Sequence, residues 1–165
     1  MNGLTAAIDA TLESLYCQWR ETIEQTSDDW LMTSVNESEA HSSACDQIVS
    51  SARVVEQTFG GITANLWDDP RDWTLPEVLQ TRQQMLEYFD EVNSTRSRGM
   101  ALIRNDDELL KRIVTPSGEI ELRELLILTV RNAIDHYFRA KRILATVIRQ
   151  ESRAGLTADV HRRVN

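Results

Sequence analysis

From Leu122 to Val147 the chain reads LRELLILTVRNAIDHYFRAKRILATV, and Leu122, Leu126, Thr129, Ala133, His136, Ala140, Ile143 and Val147 recur at alternating steps of four and three. That spacing places them along one side of an α-helix, the seam of a helix packed along its length in a bundle. Arg131, Asp135, Arg139 and Arg142 fall off the seam and belong to the solvent side, with Asp135 and Arg139 four residues apart as a favourable pair. The run Thr115-Pro116-Ser117-Gly118 reads as a turn before this helix, because Pro116 cannot continue a helix and Gly118 tolerates a positive φ. The helix is therefore expected from about Glu121 to Arg149.

Moving outward, Leu4, Ile8, Leu12, Leu15, Trp19 and Ile23 give a first amphipathic helix from about Leu4 to Gln25. A second is expected to begin between Ser38 and Ser43, where Ser43 and Asp46 have the spacing of a capping pair, and to end at Gly60-Gly61. Its inward stripe is His41, Ala44, Cys45, Ile48, Ala52, Val55 and Phe59. A third is expected to start at Thr74, with Glu77 completing a capping box and Pro76 in the first turn, and to bury Val78, Met85, Leu86, Phe89 and Val92. Its register blurs between Asn93 and Gly99, and whether Leu109 to Val114 forms a separate short helix is left open. Four antiparallel helices in one all-α domain follow. Residues 1–150 are assigned to the bundle, and 151–165 to a polar tail, either frayed or forming a further turn.

Composition narrows the function classes. The 165 residues carry a formal net charge of -8, which argues against a nucleic-acid partner, since such affinity comes mainly from Lys and Arg neutralising phosphates. No window approaches the roughly 18 apolar residues of a membrane helix. Cys17 and Cys45 match no zinc or redox spacing, and both are read as small buried hydrophobes of a cytoplasmic protein with reduced thiols.

On the last helix, His136 sits within the seam and Asn132 one turn earlier on its shoulder. Groups at i and i+4 of a helix approach one point, as paired histidines do around a metal. The stretch GEIELRELLILTVRNAIDHYFRAKRIL, Gly118 to Leu144, resembles the final helix of the DinB/YfiT-like family, and IVSSARVVEQTF, Ile48 to Phe59, resembles its second helix, with Glu56 matching an acidic position. The resemblance implies a four-helix bundle in which three histidines of these two helices hold nickel or zinc. It also implies an activity of the metal-dependent hydrolase or thiol-dependent transferase kind, and a homodimer.

Carried across, the three metal positions are Ser51, Asn132 and His136, of which only His136 is a good ligand. A slip of one residue would offer Ser50 in place of Ser51. Neutral serine and asparagine bind nickel or zinc weakly, so the expectation is a degenerate site with no resident metal. His136 is then read as a core histidine bonded to Asn132, Ser51 or a buried water. Two functions remain in view: a small-ligand-binding or interaction module, and an enzyme whose altered site is completed by Asp46, Glu56, His41 or a partner chain. The acidic, Trp-bearing loop Trp67 to Trp73 is read as a pocket rim or a cover for the bundle end, and His161 as a solvated residue.

Overall fold

A computed structural model describes residues 3–33, 43–68, 79 and 81–164, with side chains described as far as 152. It is mostly helical: α1 (Gly3–Gln25), the short α2 (Asp28–Met32), α3 (Ala44–Ala64), α4 (Arg82–Ala101) and α5 (Leu122–Val164), with a 3-10 turn (Asp106–Leu110) and two strands, β1 (Arg112–Thr115) and β2 (Gly118–Glu121). Four long helices surround one core. α3 packs most extensively on α5 and next on α4, while α1 closes the other side against α4 and α5.

The apolar spacing of α1 delivers Ile8, Leu12, Leu15, Trp19 and Ile23 to that core, where Trp19 and Phe89 of α4 meet with ring centroids 5.7 Å apart. Thr5 is also buried. Its backbone N–H and hydroxyl donate to Asp106 Oδ1 at 2.9 and 2.6 Å, and the N–H of Leu4 donates to Asp106 Oδ2. The 3-10 turn thereby supplies acceptors to the otherwise unpaired amides at the start of α1.

α3 begins with the expected capping box: Asp46 N–H donates to Ser43 Oγ, and Asp46 Oδ2 accepts from Ser43 N–H. Ala44, Cys45, Ile48, Ala52, Val55 and Phe59 are all buried. The expected end at Gly60-Gly61 is wrong, because the helix runs on to Ala64 and stops at Asn65, whose φ of 55° is left-handed. Gly61 serves close approach instead of termination. A Cβ there would lie 2.3 Å from the Trp67 ring, which folds back over this turn.

Thr74, Glu77 and Val78 lie outside the described residues, and the described helix α4 opens with a second capping box, Thr81 with Gln84. Its middle blurs in sequence for a physical reason. The inward positions are taken by Arg96, which pairs with Asp9 and Glu13 of α1, and by Gly99, where a Cβ would come 2.5 Å from Phe59 Cδ1. Neither residue gives a hydropathy signal.

Leu109 to Val114 is not a separate helix: Leu109 and Leu110 close the 3-10 turn and residues 112–115 form β1. β1 pairs antiparallel with β2, Ile113 opposite Ile120 and Thr115 opposite Gly118, around the turn residues Pro116 and Ser117. Gly118 has a φ of 122°, which a side chain would strain. The turn is thus the tip of a hairpin, and the Leu122 N–H donates to the Lys111 carbonyl where the hairpin passes into α5.

α5 continues unbroken to Val164, so the segment read as a tail carries on the helix. At 43 residues it spans about 64 Å, roughly twice α3. The Trp30 indole of α2 donates to Glu151 near its far end. The seam needs one correction: Leu122, Leu126, Thr129, Ala133, Ala140 and Val147 are buried as read, but Tyr137 and Leu144 take the places assigned to His136 and Ile143. On a wheel of about 100° per residue His136 and Tyr137 flank the stripe on opposite sides. Tyr137, with the larger apolar body, goes under α1, where its hydroxyl meets Thr22 Oγ1 at 3.1 Å.

Candidate functional site

α3 and α5 run antiparallel, with Gln47 beside His136, Ser51 beside Ala133 and Thr58 beside Thr129. The three positions carried over as metal ligands lie along this seam but do not converge. Ser51 is fully buried, and its oxygen is engaged twice: it donates to the Ala133 carbonyl at 2.6 Å and accepts from Trp19 Nε1 at 2.9 Å. Asn132 is exposed. His136 is half-buried at the rim of the interface, with Nδ1 2.9 Å from Gln47 Oε1. Its described partner is therefore a glutamine, where the sequence reading had Asn132, Ser51 or water.

These residues do not fit a nickel or zinc ion. The Ser51 hydroxyl spends its proton on a carbonyl and one lone pair on an indole N–H, a neutral oxygen is a weak ligand for these ions, and turning it toward a metal would orphan the buried Trp19 N–H. Nor do the residues proposed to complete an altered site gather there. Asp46 caps α3, and Glu56 faces α4, where Oε2 accepts from the buried Tyr88 hydroxyl at 2.6 Å. His41 lies outside the described residues. No group of three or more His, Cys, Asp or Glu side chains is placed to hold a metal among the described residues.

The Glu56 cluster is nevertheless electrostatically distinctive. Burial holds the Glu56 carboxyl above the usual carboxylate range, against the opposing effects of the Tyr88 hydrogen bond and of Arg53. Burial and the Glu56 carboxylate likewise push Tyr88 up. Arg53 and Tyr88 are buried and Glu56 is half-buried where α3 faces α4. Sequence reading had assigned none of these three to that interface, since a buried arginine looks no different in sequence from a solvated one.

What the α3/α5 seam offers is a cleft. At the hairpin end it opens into a space of about 380 Å³ bounded by α3, α5, the hairpin tip and Trp67. Thr58 and Thr129 form its floor, their hydroxyl oxygens 2.7 Å apart, and Asn132 stands at its mouth. Val54, Leu125 and Leu128 supply apolar wall. Trp67 is held from three directions: its ring lies on Gly61, its Nε1 donates to Asn65 Oδ1 at 3.0 Å, and its carbonyl accepts from Gln57 Nε2 at 2.9 Å. The expectation that the Trp67 loop rims a pocket is met at Trp67, while Trp73 lies outside the described residues. In sequence Thr129 falls on the seam of the last helix, but Thr58 falls beside the stripe of the second helix, and pairing the two requires the helix register.

Of the two cysteines, Cys45 is buried as read, its Sγ 3.3 Å from Met85 Sδ, and burial pushes its thiol up to about 12. Cys17 is exposed, contrary to the reading of it as buried. It lies between Leu15 and Trp19 in sequence, yet turns to solvent because the inward side of α1 is already filled by those two.

Among known proteins, no family model matches the chain, and neither curated proteins nor solved structures provide a match. The described residues are mostly helical, with one two-stranded hairpin among them. None of the described helices is long and apolar enough to cross a membrane.

Proposed function

We propose that the chain is a DinB/YfiT-like four-helix-bundle protein that acts as a small-molecule-binding module, one of the family's metal positions, Ser51, having been given over to packing. The observation that carries this reading is a lined cleft on the same seam as a carried-over position, Ser51, whose oxygen is already engaged in packing. The cleft of about 380 Å³ has an ordered aromatic wall and a polar floor, the features of a pre-formed ligand site. Ser51, the one buried member of the carried-over triad, is bonded to Trp19 and Ala133. The proposed setting is a cytoplasmic homodimer. Supporting the dimer, Phe138 is 61% exposed beside a groove of about 350 Å³ between α1 and α5, lined also by Leu15, Ile134 and Tyr137.

Titrating isotope-labelled protein with small aromatic fragments tests the cleft. Saturable chemical-shift changes should collect on Thr58, Trp67, Leu128 and Thr129, and Leu128→Arg should abolish them without lowering the melting temperature, because Leu128 is 38% exposed. Shifts scattered over the surface, or unaltered in that variant, would contradict the reading.

A further inference from the structure

Resting on that reading of the cleft, the structure allows its occupant to be specified by proton accounting. A threonine hydroxyl has one proton to donate and two lone pairs to accept with. Thr58 Oγ1 lies 3.0 Å from the Val54 carbonyl, Thr129 Oγ1 lies 2.8 Å from the Leu125 carbonyl, and the two hydroxyl oxygens lie 2.7 Å from each other. Three hydrogen-bond contacts thus share two protons. At 2.7 Å the oxygens cannot face each other lone pair to lone pair, so one hydroxyl donates to the other, which donates to its own helix carbonyl. Both protons are then directed away from the cleft, and the acceptor capacity that remains points to whatever lies above.

The surrounding groups have the same bias. Thr115 Oγ1 donates to the Gly118 carbonyl at 2.9 Å, Gln57 directs an amide N–H to the Trp67 carbonyl, and the Trp67 indole N–H is turned to Asn65. Ser117 lies with its hydroxyl oxygen 3.3 Å from Thr115 Oγ1, and since the Thr115 proton goes to Gly118 the Ser117 proton is the one available for that contact; Asn132 and the second amide N–H of Gln57 are the other side-chain donors of the lining. None of the lining residues carries a formal charge, and the chain's net charge of -8 opposes an anion further. Burying an ion against such walls would leave it without a counter-charge. The Trp67 ring, flat and fixed on Gly61, offers a stacking face.

We infer that the cleft takes an uncharged, planar ring compound that donates an N–H or O–H to the Thr58–Thr129 hydroxyl pair while stacking on Trp67. The experiment uses three probes of matched shape: indole, which has a ring N–H; benzofuran, which has an acceptor oxygen in its place; and indole-3-acetate, which adds a carboxylate. Binding is read from backbone and Trp67 indole shifts in the full-length protein. Indole should bind about tenfold or more tightly than either of the others, the ratio expected when a hydrogen bond to a desolvated acceptor is removed or a charge is buried. In Thr58→Val/Thr129→Val the preference for indole over benzofuran should vanish with both still bound, and Thr58→Ser/Thr129→Ser should restore it.

Equal affinity of indole and benzofuran for the native protein would overturn the inference while leaving the cleft a binding site. Persistence of the preference in the double valine variant would overturn the assignment of the floor. Failure of all three probes to shift cleft residues would remove both the inference and the proposed function.

Discussion

Ser51 and His136 show how differently two positions of one inferred triad are used. Ser51 connects Trp19 of α1 to the backbone of α5 through α3, in a core that excludes water. Ser51→Ala should therefore cost about 1–3 kcal/mol in chemical denaturation, the penalty of leaving a buried indole N–H unsatisfied. His136 is half-buried and bonded to a surface-accessible glutamine, so His136→Ala should cost about 1 kcal/mol or less. Equal losses for both would contradict the placement. The thiols separate similarly: iodoacetamide on the native protein at pH 8 should modify Cys17 and spare Cys45, whose thiol is buried and pushed up to about 12. Residue identity alone did not announce these outcomes. From sequence Ser51 is a weak ligand, and its partner Trp19 is 32 residues away, reached only through the packing of α1 on α3.

At the scale of elements, legibility followed periodicity. The bounds of α1 and α3 fall within a few residues of those expected and the α3 capping box lies where Ser43 and Asp46 place it, whereas α5, expected to end near Arg149, runs on to Val164. The hairpin was missed because its apolar residues are few and a turn signal, Thr115 to Gly118, suffices to explain the sequence without strands. The β-branched run Ile113-Val114-Thr115 ahead of Pro116 was the overlooked cue. The seam of α5 slipped because two side chains flank its stripe and packing against α1 chose Tyr137. Close helix contact also makes Gly99 essential: Gly99→Ala should destabilise by about 1–3 kcal/mol, since its Cβ would press on Phe59, which is fully buried and cannot move aside. A neutral result in a thermal melt would mean that α3 and α4 are not so closely apposed.

The pH dependence of stability belongs to the whole molecule, because two carboxyls on different interfaces act in opposite senses. Hydrogen bonds from Thr5 and the N–H groups of Thr5 and Leu4 hold Asp106 below the usual carboxylate range, so its contribution is present above the unfolded carboxylate pKa and is lost as pH falls through the lowered value. Burial holds Glu56 above that range, so its contribution is full at low pH and is lost as pH rises through the raised value. Replacing Glu56 with Gln should flatten the decline in melting temperature on the alkaline side of the carboxylate range, and Asp106→Asn should flatten the decline on the acid side. Matching profiles in both variants would refute the assignment of opposite signs.

For the molecule as a whole we propose that the positions where a DinB/YfiT-like bundle would hold its metal hold none here and border a small-molecule cleft. Metal analysis of the purified protein, from cells grown with added nickel and zinc and compared with His136→Ala, tests it most directly. Well under one metal ion per chain is expected in both proteins, with a melting temperature unaffected by chelator. One nickel or zinc per chain in the native protein, absent from the variant, would contradict it.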